Sequence, residues 1–364
     1  MQETVFPPQD RPRKPSASAA LRRRLRSILG SRVVLAVAVC LFAGTGWWWW
    51  KRDDPKVYFA HALDLMEQHS IRRRVIDWPV FRAAAWQRVK GARTRRDTHE
   101  ALRETLRALG DHHSFLQLPS DAPAKAQGRG QPQQPVSSAS GRMFGRIAYV
   151  SIPGYSSGTV GQNTLFATKL QRIVAGLEAQ DPAGWIVDLR ENPGGNMWPM
   201  LAGIGPVLGE GDVGRFVAEE GVTVWSYRNG VAYVGARAAA WVSDPPLRLR
   251  HPWPPVAVLT GPHTVSSGEA VAIAFRGRPD TRSFSAGTRG LSTGNVHYIL
   301  SDGASLLLTT STDADRLGRV YGDVIPPDEP VADGPEDQTG ADPVVAAALS
   351  WLATPRPAVG GETN

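Results

Sequence analysis

A serine at the start of an apolar helical run is the residue best placed for acyl-transfer chemistry. Ser266 follows a predicted strand, Pro254 to Thr260, and opens the run. The first-turn amides, including that of Ser267, would face its hydroxyl, where the helix dipole favours negative charge. With Glu269 three residues later, Ser266 also fits a helix capping box, which requires no catalysis.

A glycine pair in a second loop is a candidate for the other half of an oxyanion hole. Asp188-Leu-Arg190 ends a predicted buried strand and leads into Pro193-Gly194-Gly195. Without side chains, Gly194 or Gly195 allows a backbone N–H group to approach a ligand closely. The same three residues also form ordinary turns.

The segment Gly110-Asp-His-His-Ser-Phe115, after a predicted helix, supplies candidate general bases. An imidazole there could accept the proton of a serine hydroxyl, with Ser114 assisting. The sequence has no His-x-x-x-His pair, and its one cysteine, Cys40, falls in an apolar segment. We therefore predict no metal site and no cofactor.

Four motifs in this order resemble the C-terminal-processing and tricorn-core serine peptidases. They are Asp111-x-His-Ser114, Asp188-Leu-Arg-x-Asn-Pro-Gly-Gly195, Ser-Ser-Gly-Glu269 after an apolar strand, and Tyr321-Gly-x-x-Ile-x-Pro-Asp328. The resemblance covers residues 55 to 352 and implies an α/β fold, with a ClpP/crotonase-like core behind a small N-terminal helical region. It also implies Ser266 as nucleophile, His113 as base, and oxyanion donors at Ser267 and at Gly194 or Gly195.

Two features of that family pattern are absent from this sequence. No lysine follows Lys169 and Ser292-Thr293 occupies the corresponding turn, so a serine–lysine dyad is excluded. No PDZ module separates the helical region from the core. The family's orienting glutamate aligns near Tyr321, so we expect an acid among Asp313, Asp315 and Asp323 to orient the imidazole.

The basic charge of the chain is concentrated before an apolar segment. Residues 1 to 32 hold eight Lys and Arg against two acids, while the whole chain carries +7. A nucleic-acid-binding face is therefore not predicted. Residues 33 to 50 are uncharged and span about 27 Å as a helix, enough to cross a membrane. The preceding arginines predict a cytoplasmic N-terminus and an extracytoplasmic catalytic part. The alternative is a cleaved signal peptide ending near Ala36-Val37-Ala38.

The sequence thus predicts six successive segments. They are a basic tail (1–32), a transmembrane anchor (33–50), a helical region (55–118), a flexible loop (119–140), a peptidase core (141–353) and a disordered tail (354–364). The predicted function is a membrane-anchored serine peptidase acting on a peptide or protein. One alternative is a non-catalytic relative that binds an apolar ligand or a partner protein in the same cleft. A lipase is disfavoured because Thr264 replaces the first glycine of Gly-x-Ser-x-Gly.

Overall fold

The computed structural model describes residues 54–121, 138–156, 159–332, 334 and 342–354. The predicted basic tail, the segment 33–50, residues 122–137 of the predicted loop and residues 355–364 of the tail lie outside this set. Among the helices that the structure describes, none is long and apolar enough to cross a membrane.

Helices and strands are numbered here in chain order over the described residues. The helices are α1 Pro55–His69, α2 Trp78–Arg88, α3 His99–Ala108, α4 Val160–Glu178, α5 Met197–Leu208, α6 Ser267–Phe275 and α7 Pro343–Ala353. The strands are β1 Phe115–Gln117, β2 Ser140–Phe144, β3 Ile147–Ser151, β4 Gly184–Asp188, β5 Gly211–Ala218, β6 Gly221–Arg228, β7 Val231–Val234, β8 Arg237–Trp241, β9 Val256–Thr260, β10 Thr281–Ser285, β11 Thr293–Ile299, β12 Ser305–Asp315 and β13 Glu329–Pro330. The expected α/β class is confirmed.

A six-stranded sheet brings the two predicted site loops together. Its order is β13-β10-β9-β4-β3-β2, and all its pairs are parallel except β2 with β3. Every residue of β4 and β9 is buried, which explains their apolar sequences. Asp188 at the end of β4 lies opposite Leu259 in β9. The loops that follow these strands therefore start side by side.

A seven-stranded sheet forms the second layer. Its order is β1-β12-β5-β6-β7-β8, with β11 paired to β12, and its pairings are antiparallel. The largest core cluster joins residues of both sheets with α4, α5 and α6, and includes Trp185, Met200, Trp225 and Phe275. Helix α7 packs on the six-stranded sheet through Val345 and Leu352.

The N-terminal helices pack on the strands β1 and β12. Phe59 and Leu102 share a buried cluster with Leu306 and Leu308. The predicted helical region is helical only to Ala108, because the Phe115–Gln117 segment pairs with β12 as strand β1. The connection between α3 and β1 carries the histidines, so the packing of this region determines where they lie.

Candidate active site

Ser266 occupies a strained turn between β9 and α6. Its φ of 53° and ψ of −115° are unfavourable for a residue with a side chain. The Glu269 carboxylate accepts a hydrogen bond of 2.7 Å from the Ser266 N–H group. The predicted capping box is therefore present, and it holds the backbone of the candidate nucleophile.

His113 contacts Ser266 although 153 residues separate them in the sequence. Its Nε2 atom lies 3.0 Å from Ser266 Oγ. The Asp111 carboxylate accepts from the His113 N–H group at 3.1 Å, and the Asn295 amide donates to the His113 carbonyl at 3.0 Å. The backbone on both sides of the imidazole is thus fixed.

A threonine, rather than an acid, faces the other nitrogen of this imidazole. His113 Nδ1 lies 2.7 Å from Thr293 Oγ1. When Nε2 accepts a hydrogen bond from the Ser266 hydroxyl, Nδ1 carries the ring proton and donates a hydrogen bond to Thr293 Oγ1. Sequence reasoning noticed Thr293 only as an occupant of the turn where lysine was expected.

The carboxylates predicted to orient His113 are engaged elsewhere. Asp315 accepts from the Leu317 and Arg319 amides and, at 2.9 Å, from the Tyr321 hydroxyl. Asp323 accepts from the Val324 amide at 2.7 Å. The expectation that Asp315 or Asp323 orients the imidazole is therefore not supported by these contacts, because both carboxylates stabilise local turns.

Burial controls the protonation of His113. The side chain is largely buried, and desolvation lowers its pKa, while the charge of Asp111 acts in the opposite direction. The balance favours the neutral imidazole near neutral pH. A neutral imidazole with Nε2 on the serine hydroxyl can act as a general base.

Ser114 supports the histidine loop and does not contact the candidate nucleophile. Its hydroxyl donates to the Asp111 carboxylate at 2.6 Å and accepts from the Thr309 amide at 2.9 Å. These bonds tie the loop to strand β12. Ser114 therefore stabilises the histidine loop through its hydrogen bond to Asp111.

The glycine pair lies against Ser266, and its two amides differ. A Cβ atom on Gly194 would lie 2.7 Å from the Val265 carbonyl oxygen, so only glycine permits this approach. The Gly194 amide donates to the Asn192 side chain at 3.0 Å and is occupied. The amides of Gly195 and Ser267 have no acceptor among the described residues. These two are the available oxyanion donors.

Two buried carboxyl groups lie behind the site. Glu269 also accepts from the Thr288 hydroxyl at 2.6 Å and from the Gly290 and Leu291 amides, each at 2.9 Å. Asp313 is 1% exposed, and its Oδ1 atom has no hydrogen-bond partner among the described residues. Burial and the charge of Glu269 raise the pKa of Asp313 well above its ordinary value. Burial also raises the pKa of Glu269, but the hydrogen bonds that it accepts act in the opposite direction. Asp313 is therefore the member of the pair in which burial most favours the neutral form.

No group of acids, histidines or cysteines suited to a metal ion occurs in the part of the chain that the structure describes.

A serine in contact with an imidazole, beside open backbone amides, is the arrangement of serine hydrolases. Residues 146–331, more than half of the chain, match peptidase family S41, and the chain belongs to this family. The protein is therefore a serine peptidase.

The proteins that are similar to this chain match it over most of its length. The chain is 25% identical over 303 residues to a nisin-resistance protein of Lactococcus lactis subsp. lactis, covering 80% of this chain and 91% of the relative. A solved lipoprotein structure from Streptococcus agalactiae matches with a TM-score of 0.65 and 23% identity, over 82% of this chain and 96% of the other. A putative peptidase from Parabacteroides merdae matches with a TM-score of 0.52 and 20% identity, over 83% and 97%. The structural matches share the fold.

Proposed function

We propose that the protein hydrolyses peptide bonds through an acyl-enzyme formed on Ser266, with His113 as the general base. The observation that carries this proposal is the 3.0 Å contact between His113 Nε2 and Ser266 Oγ. A serine and an imidazole at this distance form an activated nucleophile. On the basis of the ordered motifs and the parallel sheet, we also infer that the core is ClpP/crotonase-like.

The reaction begins when Ser266 Oγ attacks the carbonyl carbon of the scissile peptide bond. The hydroxyl proton passes to His113 Nε2, and the carbonyl oxygen becomes an oxyanion. When the C–N bond breaks, His113 returns this proton to the leaving amine. Water then attacks the ester, giving its proton to His113, which passes it to Ser266 Oγ as the carboxylic acid leaves.

The backbone amides of Gly195 and Ser267 serve this reaction as oxyanion donors. Neither amide donates to an acceptor within the described part of the chain, and Ser267 is the first residue of α6. The helix dipole favours negative charge at this point. Removal of one such donor in other enzymes costs about 10²- to 10³-fold in kcat.

Thr293 acts on the imidazole from the other side. Its hydroxyl oxygen accepts a hydrogen bond from the Nδ1–H group and thereby favours the tautomer whose Nε2 lone pair faces Ser266. An uncharged hydroxyl stabilises the imidazolium less than a carboxylate would. We therefore expect catalysis by a serine–histidine pair with a threonine orienting group.

Substitution of Ser266 tests the assignment. Ser266→Ala should abolish peptide turnover and labelling by a fluorophosphonate probe. The matched control is Ser350→Ala, which removes the hydroxyl of an exposed serine on α7, away from the candidate site, and should retain wild-type turnover. Turnover by Ser266→Ala at the wild-type rate would refute the assignment.

The alternative function is ligand or partner binding in the same cleft without catalysis. The neutral Thr293 hydroxyl, in the place of an orienting acid, is the observation that favours it. This alternative predicts no probe labelling of Ser266 between pH 5 and pH 9. Labelling at a rate that rises with pH would exclude it.

We further propose that residues 33–50 tether an extracytoplasmic enzyme to the cell membrane. The uncharged segment behind basic residues supports this topology, and a nisin-resistance protein and a lipoprotein are among the similar proteins. Carbonate extraction and N-terminal sequencing of the mature protein test the tether. A soluble protein beginning after Ala38 would show a cleaved signal peptide. Nisin is one suitable assay peptide, beside unmodified peptides.

A further inference from the structure

Three aromatic side chains form a packed group beside the catalytic residues. Trp198 lies edge-on to Phe216, with ring centroids 6.2 Å apart, and Phe216 lies edge-on to Trp225 at 4.7 Å. Trp225 is completely buried. Trp198 and Phe216 are only partly buried, so the group presents aromatic surface to its surroundings.

Trp198 is joined directly to the loop that carries the oxyanion donor. It is the second residue of α5 and donates its backbone N–H group to the Asn196 side chain at 3.1 Å. Asn196 follows Gly195, and its own amide donates to the Tyr155 carbonyl at 2.6 Å. These bonds hold the backbone that carries the indole ring, three residues after Gly195.

Phe216 reaches the opposite side of the site. A Cβ atom on Gly294 would lie 2.7 Å from the Phe216 ring, so the ring covers this glycine. Gly294 follows Thr293, the residue in contact with His113. The Trp198–Phe216 pair thus extends from the oxyanion loop to the strand that orients the base.

Two acids of β12 share the face of the sheet that carries Phe216, and both are buried. Asp313 lies opposite Phe216 in the pairing of β12 with β5, and burial raises its pKa. Asp315, two residues farther along β12, accepts hydrogen bonds from the Leu317 and Arg319 amides and from the Tyr321 hydroxyl. Arg215 precedes Phe216, so its side chain points to the other face, where it donates to the Arg316 carbonyl at 2.9 Å. The exposed aromatic surface therefore offers apolar contact without charge complementarity.

We propose that Trp198, backed by Phe216, forms the apolar wall that receives the side chain of the substrate residue whose carbonyl is attacked. This inference rests on the proposed function. The carbonyl oxygen must point to the Gly195 amide, and the α-carbon of the same residue is bonded to the carbonyl carbon. Its side chain consequently lies beside the residues that follow Gly195. The leaving amine lies on the His113 side, farther from Trp198.

The wall determines which substrate residue the enzyme accepts on the N-terminal side of the cleaved bond. Leucine, methionine and phenylalanine bury apolar surface against the indole, whereas aspartate and lysine would lose hydration there without a partner. A peptide series with the sequence Ala-Ala-X-Ala-Ala, with X varied and the cleaved bond located by mass spectrometry, measures this preference as kcat/KM.

Trp198→Ala is the informative variant. We expect kcat/KM for X = Phe or Leu to fall about 10- to 100-fold, and that for X = Ala to change less than about threefold, because the small side chain does not reach the wall. Phe216→Leu, a smaller change to the core, should produce the same trend more weakly. Trp241→Ala, at a partly exposed tryptophan on the outermost strand β8, is the matched control and should leave the profile unchanged.

The possible outcomes separate this inference from the proposed function. If wild-type protein labels at Ser266 and cleaves peptides, but Trp198→Ala leaves the preference for X unchanged, the wall is refuted and the peptidase mechanism stands. If Trp198→Ala changes only the preference for the residue after the cleaved bond, the proposed wall is also refuted, because Trp198 then contacts the leaving-group side of the substrate. If Ser266 is not required for cleavage, the proposed function fails independently of Trp198.

Discussion

At the scale of single residues, the reactivity of this site depends on the protonation of one buried imidazole. His113 reaches Ser266 Oγ through Nε2 and Thr293 Oγ1 through Nδ1. Desolvation disfavours the imidazolium, so the pKa of His113 is lowered despite the nearby Asp111. In the proposed mechanism the neutral imidazole is therefore available as the base, and Thr293 is the group that orients its ring.

This environment predicts the acid side of the pH profile. Only enzyme with neutral His113 can attack, so kcat/KM should rise with pH through the pKa of His113. Because burial lowers that pKa, the midpoint should fall below the ordinary histidine value of about 6.5. Peptides without ionisable side chains provide the measurement. A midpoint above the ordinary value would show that the imidazole is not desolvated in solution.

The same pH dependence should appear in labelling of Ser266 by a fluorophosphonate. The probe carries no peptide leaving group, so agreement between the two profiles assigns the ionisation to the free enzyme. Disagreement would indicate that a later step controls peptide turnover.

At the scale of secondary structure, helix α6 and strand β12 bring two carboxyl groups together. Glu269 on α6 accepts four hydrogen bonds, including one from the backbone of Ser266. Among the described residues Asp313 Oδ1 has no hydrogen-bond partner, and burial raises the pKa of Asp313 well above its ordinary value. Burial also raises the pKa of Glu269, but its hydrogen bonds act in the opposite direction. Glu269 therefore holds the turn at Ser266 as an acceptor, whereas burial favours the neutral form of Asp313.

The substitution Asp313→Asn tests whether Asp313 is neutral in the folded protein, through its effect on the pH dependence of stability. In wild type the folded-state pKa of Asp313 exceeds the unfolded value of about 3.9. Above the unfolded pKa, the folded state binds more protons than the unfolded state, so the free energy of unfolding falls as pH rises towards the folded pKa. Asparagine does not ionise and removes this contribution, which is at most about 1.4 kcal/mol per pH unit.

Urea unfolding of both proteins from pH 5 to pH 8 measures the difference. The stability of the variant relative to wild type should increase with pH, whatever constant offset the amide introduces. Asp328→Asn is the control. Because the pKa of Asp328 is lowered, its carboxyl group is ionised in both the folded and the unfolded state from pH 5 to pH 8, so the stability difference between this variant and wild type should not change with pH in that range. Parallel curves for wild type and Asp313→Asn would contradict the assignment of a neutral Asp313.

At the scale of the whole molecule, the site is completed by the docking of the N-terminal helices on the seven-stranded sheet. Asp302, in the turn between β11 and β12, accepts from Tyr58 Oη at 3.1 Å and contacts His99 Nε2 at 2.8 Å. These contacts reinforce the apolar cluster of Phe59, Leu102 and Leu306. The helical region thereby delivers His113 to a nucleophile carried by the other sheet.

Asp302→Ala should loosen this docking. Loss of a partly buried acceptor of several donors should cost about 1–3 kcal/mol in unfolding free energy. Turnover should fall because His113 is held less firmly at Ser266. Limited proteolysis, followed by mass spectrometry, should show faster cleavage within residues 55–108 than within the core.

The control for this variant removes an acid from an exposed ion pair. Asp244 pairs with Arg172 at 2.6 Å on the surface, and exposed pairs contribute about 0–1 kcal/mol. Asp244→Ala should therefore leave proteolysis and turnover near wild type. Equal behaviour of the two variants would show that Asp302 does not secure the helical region.

Local sequence was sufficient to predict the elements that carry each half of the site. The strand β9, the turn at Ser266 and the helix α6 are contiguous, as are β4 and the glycine loop, so their apolar runs and turn residues indicate them directly. The hairpin of β6 and β7 turns through Asn229-Gly230, a dipeptide typical of such turns. Helix α5 has no comparable local signal, because Pro199, Gly203, Gly205 and Pro206 interrupt its pattern. Its glycines serve packing, since a Cβ atom on Gly205 would collide with the ring of Tyr227.

The sequence by itself determined the class of fold, the serine at a helix start and the exclusion of lysine as its base. Tertiary structure decided which groups meet. The contacts of His113 with Ser266 and Thr293 join residues separated by 153 and 180 positions, and no local pattern encodes such distances. Thr293 faces the imidazole instead of Asp315 or Asp323 because strand pairing places β11 beside the histidine loop, while both acids close turns of their own. Long-range packing therefore selected the orienting group and the available amide of Gly195 from candidates that the sequence left equivalent.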